Sequence, residues 1–198
     1  MYKRQVHEIE NWDDLRRRLQ PDDRRCFAFF HPAMPDEPLI FVEVALTKGT
    51  PNSIQSVLLE NRDAMAAEKA DTAAFYSISN CQAGLAGISF GNSLIKTVVQ
   101  HLLRELPQIR NFVTLSPIPG LVKWLRETGN FDADATAETH MQLAAHYLLN
   151  AKHHRGQPHD PVARFHLNNG ALVGAVHANA DKSKNGMAQS CGVMVNYR

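Results

Sequence analysis

The feature that most constrains the fold is a helical stripe set between two short apolar runs. From position 94 the apolar residues fall at Leu94, Ile95, Val98, Val99, Leu102, Leu103 and Leu106, the spacing of one face of an α-helix. The run AAFYSIS, 73–79, precedes the stripe, and FVTLS, 112–116, follows it. Both read as buried strands. Strand, helix and strand in that order predict a βαβ crossover over residues 73–116, the connection that joins neighbouring parallel strands.

The flanking sequence adds elements on both sides. Asn11 before WDDLRRRL reads as a helix N-cap, with Asp13 and Asp14 in the first turn. CFAFFH, 26–31, and PLIFVEVALT, 38–47, read as strands joined by a proline-rich turn, PAMPDE. In the second strand Ile40, Val42 and Val44 lie on one side and Phe41, Glu43 and Ala45 on the other. Short helices are expected over 53–60 and 119–127, and a longer one over 136–150. HDPVARFHLNNG, 159–170, reads as a helix capped by Asp160, started by Pro161 and ended by Gly170. ALVGAVHAN and CGVMVNY read as strands, joined by ADKSKNGMAQS as a polar loop. The chain is therefore α/β, with strands towards both ends.

Composition narrows the function. A chain of 198 residues fits one domain, or one domain with a small appendage. The formal net charge of +1 gives no bulk electrostatic reason to expect nucleic acid or a membrane surface as a partner. No run approaches the ~18–20 apolar residues of a membrane span. The opening MYKRQVHEIENWDD has basic residues but no apolar stretch behind them, so it is not a secretory signal. Cys26, Cys81 and Cys191 are odd in number and widely spaced, which argues against a disulfide framework and for a reducing compartment. A cytoplasmic location is the expectation.

Two stretches carry candidate chemistry. Three glycines, Gly84, Gly87 and Gly91, precede the long helix. Glycines there, with the free amides of a helix start, suit a diphosphate. They equally suit a connection that only turns the chain, since neither a P-loop nor a G-x-G-x-x-G pattern is present. In TLSPIPGLVKWL, 114–125, Ser116 stands between a strand end and a stiff turn. It reads either as an N-cap or as a reactive or orienting group at a site. His153, His154 and His159 cluster in sequence without metal-ligand spacing, so a metal is not expected. Lys152, Arg155 and Arg164 are candidate phosphate contacts or solvated charges, and Trp12 and Trp124 are read as packing residues.

The segment Gln82-Ala83-Gly84-Leu85-Ala86-Gly87 is a loose relative of the Q/R-x-x-G-x-G/A loop of GNAT-type acetyltransferases, which holds the pyrophosphate of coenzyme A. A closer resemblance rests on FYSISNCQAGLAGISFGNSLIK, TLSPIPGLVKWL, HHRGQPHDPVARFHLNNGA and SCGVMVNYR, together with the N-terminal VHEIENWDDLRRRLQPDDRRCFAFFHPAMPDEPLIFVEVALT. These resemble the catalytic domain of malonyl-CoA decarboxylases over nearly the whole chain. The resemblance implies an α/β fold of GNAT-like (acyl-CoA N-acyltransferase) type, a mixed sheet flanked by helices. It implies decarboxylation of malonyl-CoA to acetyl-CoA and carbon dioxide, with no cofactor beyond the coenzyme A thioester that is the substrate. It implies Ser116 and His166 as the catalytic pair. It also implies Ala86, Gly87, Ile88, Ser89, Phe90, Gly91 and Asn92 as the coenzyme A-binding stretch.

The chemistry fits those residues. Loss of carbon dioxide leaves an electron pair for which the thioester carbonyl is the sink, and an enolate forms. Hydrogen-bond donors can stabilise that charge, a general acid can protonate the carbon, and positioning can hold the carboxylate out of the carbonyl plane. Histidine titrates near neutrality, at about 6.5 when unperturbed, and a serine hydroxyl can donate and accept. A serine nucleophile is disfavoured, because no G-x-S-x-G elbow is present and no acyl-enzyme is needed. Against the family pattern, Ser89 stands where many members have glutamate, and the segment between VKWLRETGN and HYLLNAKHHRG is short. The expectation is a single GNAT-like catalytic domain over 1–198, without the family's preceding helical assembly domain and short of its C-terminal tail. A homo-oligomer is compatible with it. The competing functions are a GNAT-type acyltransferase and an inactive acyl-CoA-binding module.

Overall fold

A computed structural model of the protein describes residues 12–59, 63–82, 91–153 and 156–198. From the N-terminus the elements are α1 (Trp12–Leu19), β1 (Arg24–His31), β2 (Met34–Thr47), α2 (Ile54–Leu58), a 3-10 turn (Ala67–Lys69), β3 (Thr72–Asn80), α3 (Gly91–Glu105), β4 (Asn111–Thr114) and β5 (Ser116–Pro117). They continue with α4 (Leu121–Glu127), α5 (Ala137–Asn150), α6 (Pro161–Asn168), β6 (Val173–His177), α7 (Lys184–Ser190) and β7 (Met194–Tyr197). The chain divides into two compact units, Met1–Thr50 with Leu58–Val113, and Pro51–Val57 with Thr114–Arg198. Among the described residues no helix is long and apolar enough to cross a membrane.

The first unit is built on a sheet of order β1-β2-β3-β4, antiparallel from β1 to β3. The expected crossover is there. The amide of Asn111, first in β4, donates to the carbonyl of Asp71, just before β3, at 3.1 Å. Both strands therefore start at the same end and run parallel, with α3 as the connection. The stripe does what its spacing predicts: Val98 and Leu102 are buried against Ile40, Val42, Val44 and Phe75, with Leu94, Ile95 and Val99 packed around them. Leu103 is the exception, 44% exposed, because it lies about 100° round the helix from Leu102. On the other face of β2, Glu43 accepts from Arg18 of α1 at 3.1 Å, both side chains buried. Burial pushes the Glu43 carboxyl up, and the guanidinium opposes that shift.

The proline-rich turn is shorter than expected. β2 begins at Met34, so Pro35 and Pro38 are strand residues. Neither lies opposite β3, which pairs only from Ile40 onward, and Pro38 faces Phe30 of β1 at a register irregularity, where a missing N–H is tolerated. Asn11 lies outside the described residues.

The second unit holds a sheet of order β5-β7-β6, antiparallel throughout. Ile118, Leu121, Leu125, Ala144, Tyr147, Leu148, Val195 and Tyr197 form its core, with Trp124 packed against them. Trp12 does not pack as expected and is 70% exposed. The helix at 161–168 has the expected ends: Asp160 caps it, Pro161 opens it, and Gly170 follows at φ 86°. The expected polar loop before β7 is a helix instead, α7, capped by Ser183, whose hydroxyl accepts from the Gly186 amide at 3.0 Å. Its buried side is Gly186 and Ser190, so it shows no apolar stripe. A side chain at 186 would collide with the Asp181 carboxylate.

Candidate active site

Ser116 does not cap a helix. The N-cap of α4 is Gly120, which supplies no side chain, while Ser116 sits four residues earlier in β5, paired with Val195 of β7 and 6% exposed. The turn it opens is held from outside. The Gly120 amide donates to Asp160 Oδ2 at 3.0 Å. Glycine is required at 120, because a Cβ there would overlap the Tyr147 hydroxyl and sit 3.2 Å from Asp160 Oδ2.

Asp160 has a second task. Its Oδ1 accepts from the amides of Val162 and Ala163 at 2.9 and 3.0 Å, which caps the helix that carries His166. One buried carboxylate thus ties the serine turn to the histidine helix. Burial pushes this carboxyl up, and the three amides pull it back towards ionisation. Asp160→Ala removes a cap worth about 0.5–2 kcal/mol and leaves the Gly120 amide without its acceptor. The expected loss of unfolding free energy is about 2 kcal/mol or more, read from urea denaturation. A change below about 0.5 kcal/mol, the level of a neutral surface substitution, would contradict the bridging role.

The outcome is that Ser116 Oγ and His166 Nε2 stand 3.4 Å apart, both residues buried. The His166 ring stacks on Tyr197, centroids 4.4 Å apart and planes 19° from parallel, with Phe165 edge-on at 5.1 Å. Burial in this setting pushes the imidazole down to about 4. It is neutral at pH 7, where an unperturbed histidine would be about a quarter protonated. The unfolded chain binds a proton at His166 near its ordinary value of about 6.5, whereas the folded chain refuses it until about pH 4. Stability linked to His166 is therefore full above about pH 6.5 and falls as pH drops towards 4. His166→Asn, which has no such proton to refuse, should lose less stability over that window in denaturation titrations.

Ser116 has further partners that sequence reasoning missed. Its hydroxyl donates to Thr114 Oγ1 at 2.8 Å, and the Tyr197 amide donates to the same oxygen at 3.1 Å. Asn196 Nδ2 donates to the Thr114 carbonyl at 2.7 Å and to the Pro51 carbonyl at 3.2 Å, while its Oδ1 faces His177 Nε2. The available signal was the spacing Thr114-x-Ser116, two hydroxyls at the period of a strand. Nothing local pointed to residues 196 and 197.

Of the expected coenzyme A stretch, Ala86, Gly87, Ile88, Ser89 and Phe90 lie outside the described residues, and Gly91 and Asn92 open α3. Gln82, two residues past β3, donates to Glu37 and to the Pro38 carbonyl. His154 and Arg155 lie outside the described residues. His153 stacks on His159, whose Nδ1 pairs with the Tyr147 hydroxyl. Among the described residues no group of three or more His, Cys, Asp or Glu could hold a metal ion.

By fold this is a GNAT-like α/β protein. It is similar to the GNAT-like decarboxylase of GphF, solved with isobutyryl-CoA, at a TM-score of 0.60 and 20% identity over 92% of this chain and 81% of that one. The chain belongs to the malonyl-CoA decarboxylase family: the family model for the malonyl-CoA decarboxylase C-terminal domain matches residues 1–141 and 129–198. The crystal structure of malonyl-CoA decarboxylase from Rhodopseudomonas palustris is 54% identical, with a TM-score of 0.85 over 97% of this chain and 53% of that one. The mitochondrial malonyl-CoA decarboxylase of Anser anser anser is 42% identical over 240 aligned residues, which cover 98% of this chain and 47% of the goose protein. The chain spans about half the length of the curated relatives it matches. The goose alignment is longer than the 198 residues of this chain, so the relative carries internal residues that this chain lacks.

Proposed function

We propose that this chain converts malonyl-CoA to acetyl-CoA and carbon dioxide, with Ser116 positioning the carboxylate and His166 supplying the proton. The observation that carries this is the 3.4 Å approach of Ser116 Oγ to a buried His166 Nε2 in a chain of this family. In the reaction the bond between the carboxylate carbon and the methylene breaks. Its electron pair moves onto the thioester carbonyl, carbon dioxide leaves, and the enolate carbon takes one proton. The thioester supplies the electron sink, so the balanced reaction calls for no added cofactor.

The burial of His166 gives the proton a source. In the free protein the imidazole is neutral at pH 7. A malonyl carboxylate arriving within a few ångströms favours the charged imidazolium. The proton drawn in with the substrate is the one that turnover consumes, and acetyl-CoA, which lacks the carboxylate, lets the ring return to neutral. The carboxylate is also a stronger acceptor than a threonine hydroxyl. It takes the Ser116 proton from Thr114 and is held in one orientation about the bond that breaks. We assign the pyrophosphate of coenzyme A to residues 86–92, on the glycine spacing and the helix that follows.

Product analysis tests this. Malonyl-CoA incubated with and without candidate amines should yield acetyl-CoA at the same rate. An acylated amine with release of free coenzyme A would mark an acyltransferase instead, and tight malonyl-CoA binding with no product would mark a binding module.

A further inference from the structure

We infer that Thr114 is a positioning residue which, through Ser116, keeps the proton of His166 on Nε2; the inference rests on the Ser116–His166 reading above. It follows from the direction of the Ser116 hydroxyl, which donates to Thr114. A threonine oxygen has two lone pairs. One takes the backbone N–H of Tyr197 at 3.1 Å, a donor that cannot reverse. The other takes the Ser116 hydroxyl proton at 2.8 Å. Ser116 has one proton, so what it presents to His166 Nε2, 3.4 Å away, is a lone pair. A neutral imidazole facing a lone pair is held in the tautomer that carries its proton on that nitrogen.

The arrangement is rigid. Thr114, Ser116 and His166 are all buried, and Tyr197 is buried too, stacked on the imidazole while its amide fixes the threonine oxygen. Asn196 holds the Thr114 carbonyl from the neighbouring position on β7. The direction of the chain Nε2–H to Ser116 to Thr114 is that of the Ser116 donation to Thr114, and the Tyr197 amide leaves that oxygen a second lone pair to receive it. In the free protein this sets the proton on the nitrogen beside the serine, and the proton drawn in with the substrate then enters at Nδ1. With no acceptor at 114, the serine hydroxyl turns to donate into Nε2, which moves the resting proton to Nδ1.

The test uses Thr114→Val, which keeps shape and removes the acceptor, and Thr114→Ser, which restores it. In 15N-histidine NMR of the free protein, His166 should show a protonated Nε2 and a bare Nδ1. Thr114→Val should shift the population towards Nδ1–H, and Thr114→Ser should not. On malonyl-CoA the carboxylate replaces Thr114 as the serine's acceptor and the charged ring carries both protons, so Thr114→Val should change kcat and KM by less than about threefold. Should Thr114→Val fail to fold, Thr114→Ala gives the same comparison with more room for water at the Tyr197 amide. A bare Nε2 in the unmodified protein, or an unchanged tautomer in the valine or alanine variant, overturns the inference. If the unmodified protein releases no carbon dioxide the proposed function fails, and the tautomer comparison still decides the role of Thr114.

Discussion

Replacing His166 by alanine is expected to lower the rate of carbon dioxide release from malonyl-CoA by about 10²–10⁴-fold, the range of a general acid's contribution. The reason is placement, more than the presence of a histidine. The chain has ten histidines, yet among the described residues His166 is the one whose Nε2 lies 3.4 Å from Ser116 and whose burial holds it neutral until substrate arrives. Water can protonate an enolate, so the variant keeps some activity. Binding of coenzyme A is assigned elsewhere, so most of the loss belongs in kcat and little in KM. The stack on Tyr197 is lost along with the acid, so the melting curve and circular dichroism must show a folded variant before the rates are compared. A folded His166→Ala protein within threefold of the unmodified rate would remove histidine from the mechanism.

Replacing Ser116 by alanine is expected to lower kcat by about 10²–10³-fold, the cost of removing one preorganised donor from a buried charge. Two effects combine. The carboxylate loses the hydroxyl that sets its orientation, and His166 Nε2–H loses the acceptor that fixes its tautomer. Because both residues serve one step, their effects should not add. The double variant should be about as slow as the slower single variant, as happens when residues act as a unit. Additive losses would mean that the two side chains work on separate steps, and the 3.4 Å contact would then have no mechanistic meaning.

How far the sequence exposed this site depended on the range of the interactions. The crossover was legible because α3 buries one face from Leu94 onward, which leaves Val98 and Leu102 at helical spacing. Asp160 was legible as a cap, since capping is local: its oxygens accept from residues two and three positions on. Its bond to the Gly120 amide spans forty residues and leaves no local trace. The helix α7 escaped notice because what it buries is a glycine and a serine. Ser116 shows the limit of local reasoning most sharply. It fits both the end of the strand expected over 112–116 and an N-cap, and tertiary pairing with Val195 decides for the strand. Its function was suggested by resemblance to a family. Its partner Thr114, and the Tyr197 amide that holds Thr114, were not, because a backbone amide from β7 is invisible to any reading of residue types.

The central claim is that the buried Ser116–His166 pair removes carbon dioxide from a malonyl thioester. The most direct measurement follows malonyl-CoA labelled in its free carboxylate, in amine-free buffer, with the unmodified chain and the two alanine variants. Label should leave as carbon dioxide one for one with acetyl-CoA formed, and both variants should slow that release by at least about a hundredfold. Label retained in the acyl-CoA, or release at equal rates from all three proteins, would contradict it.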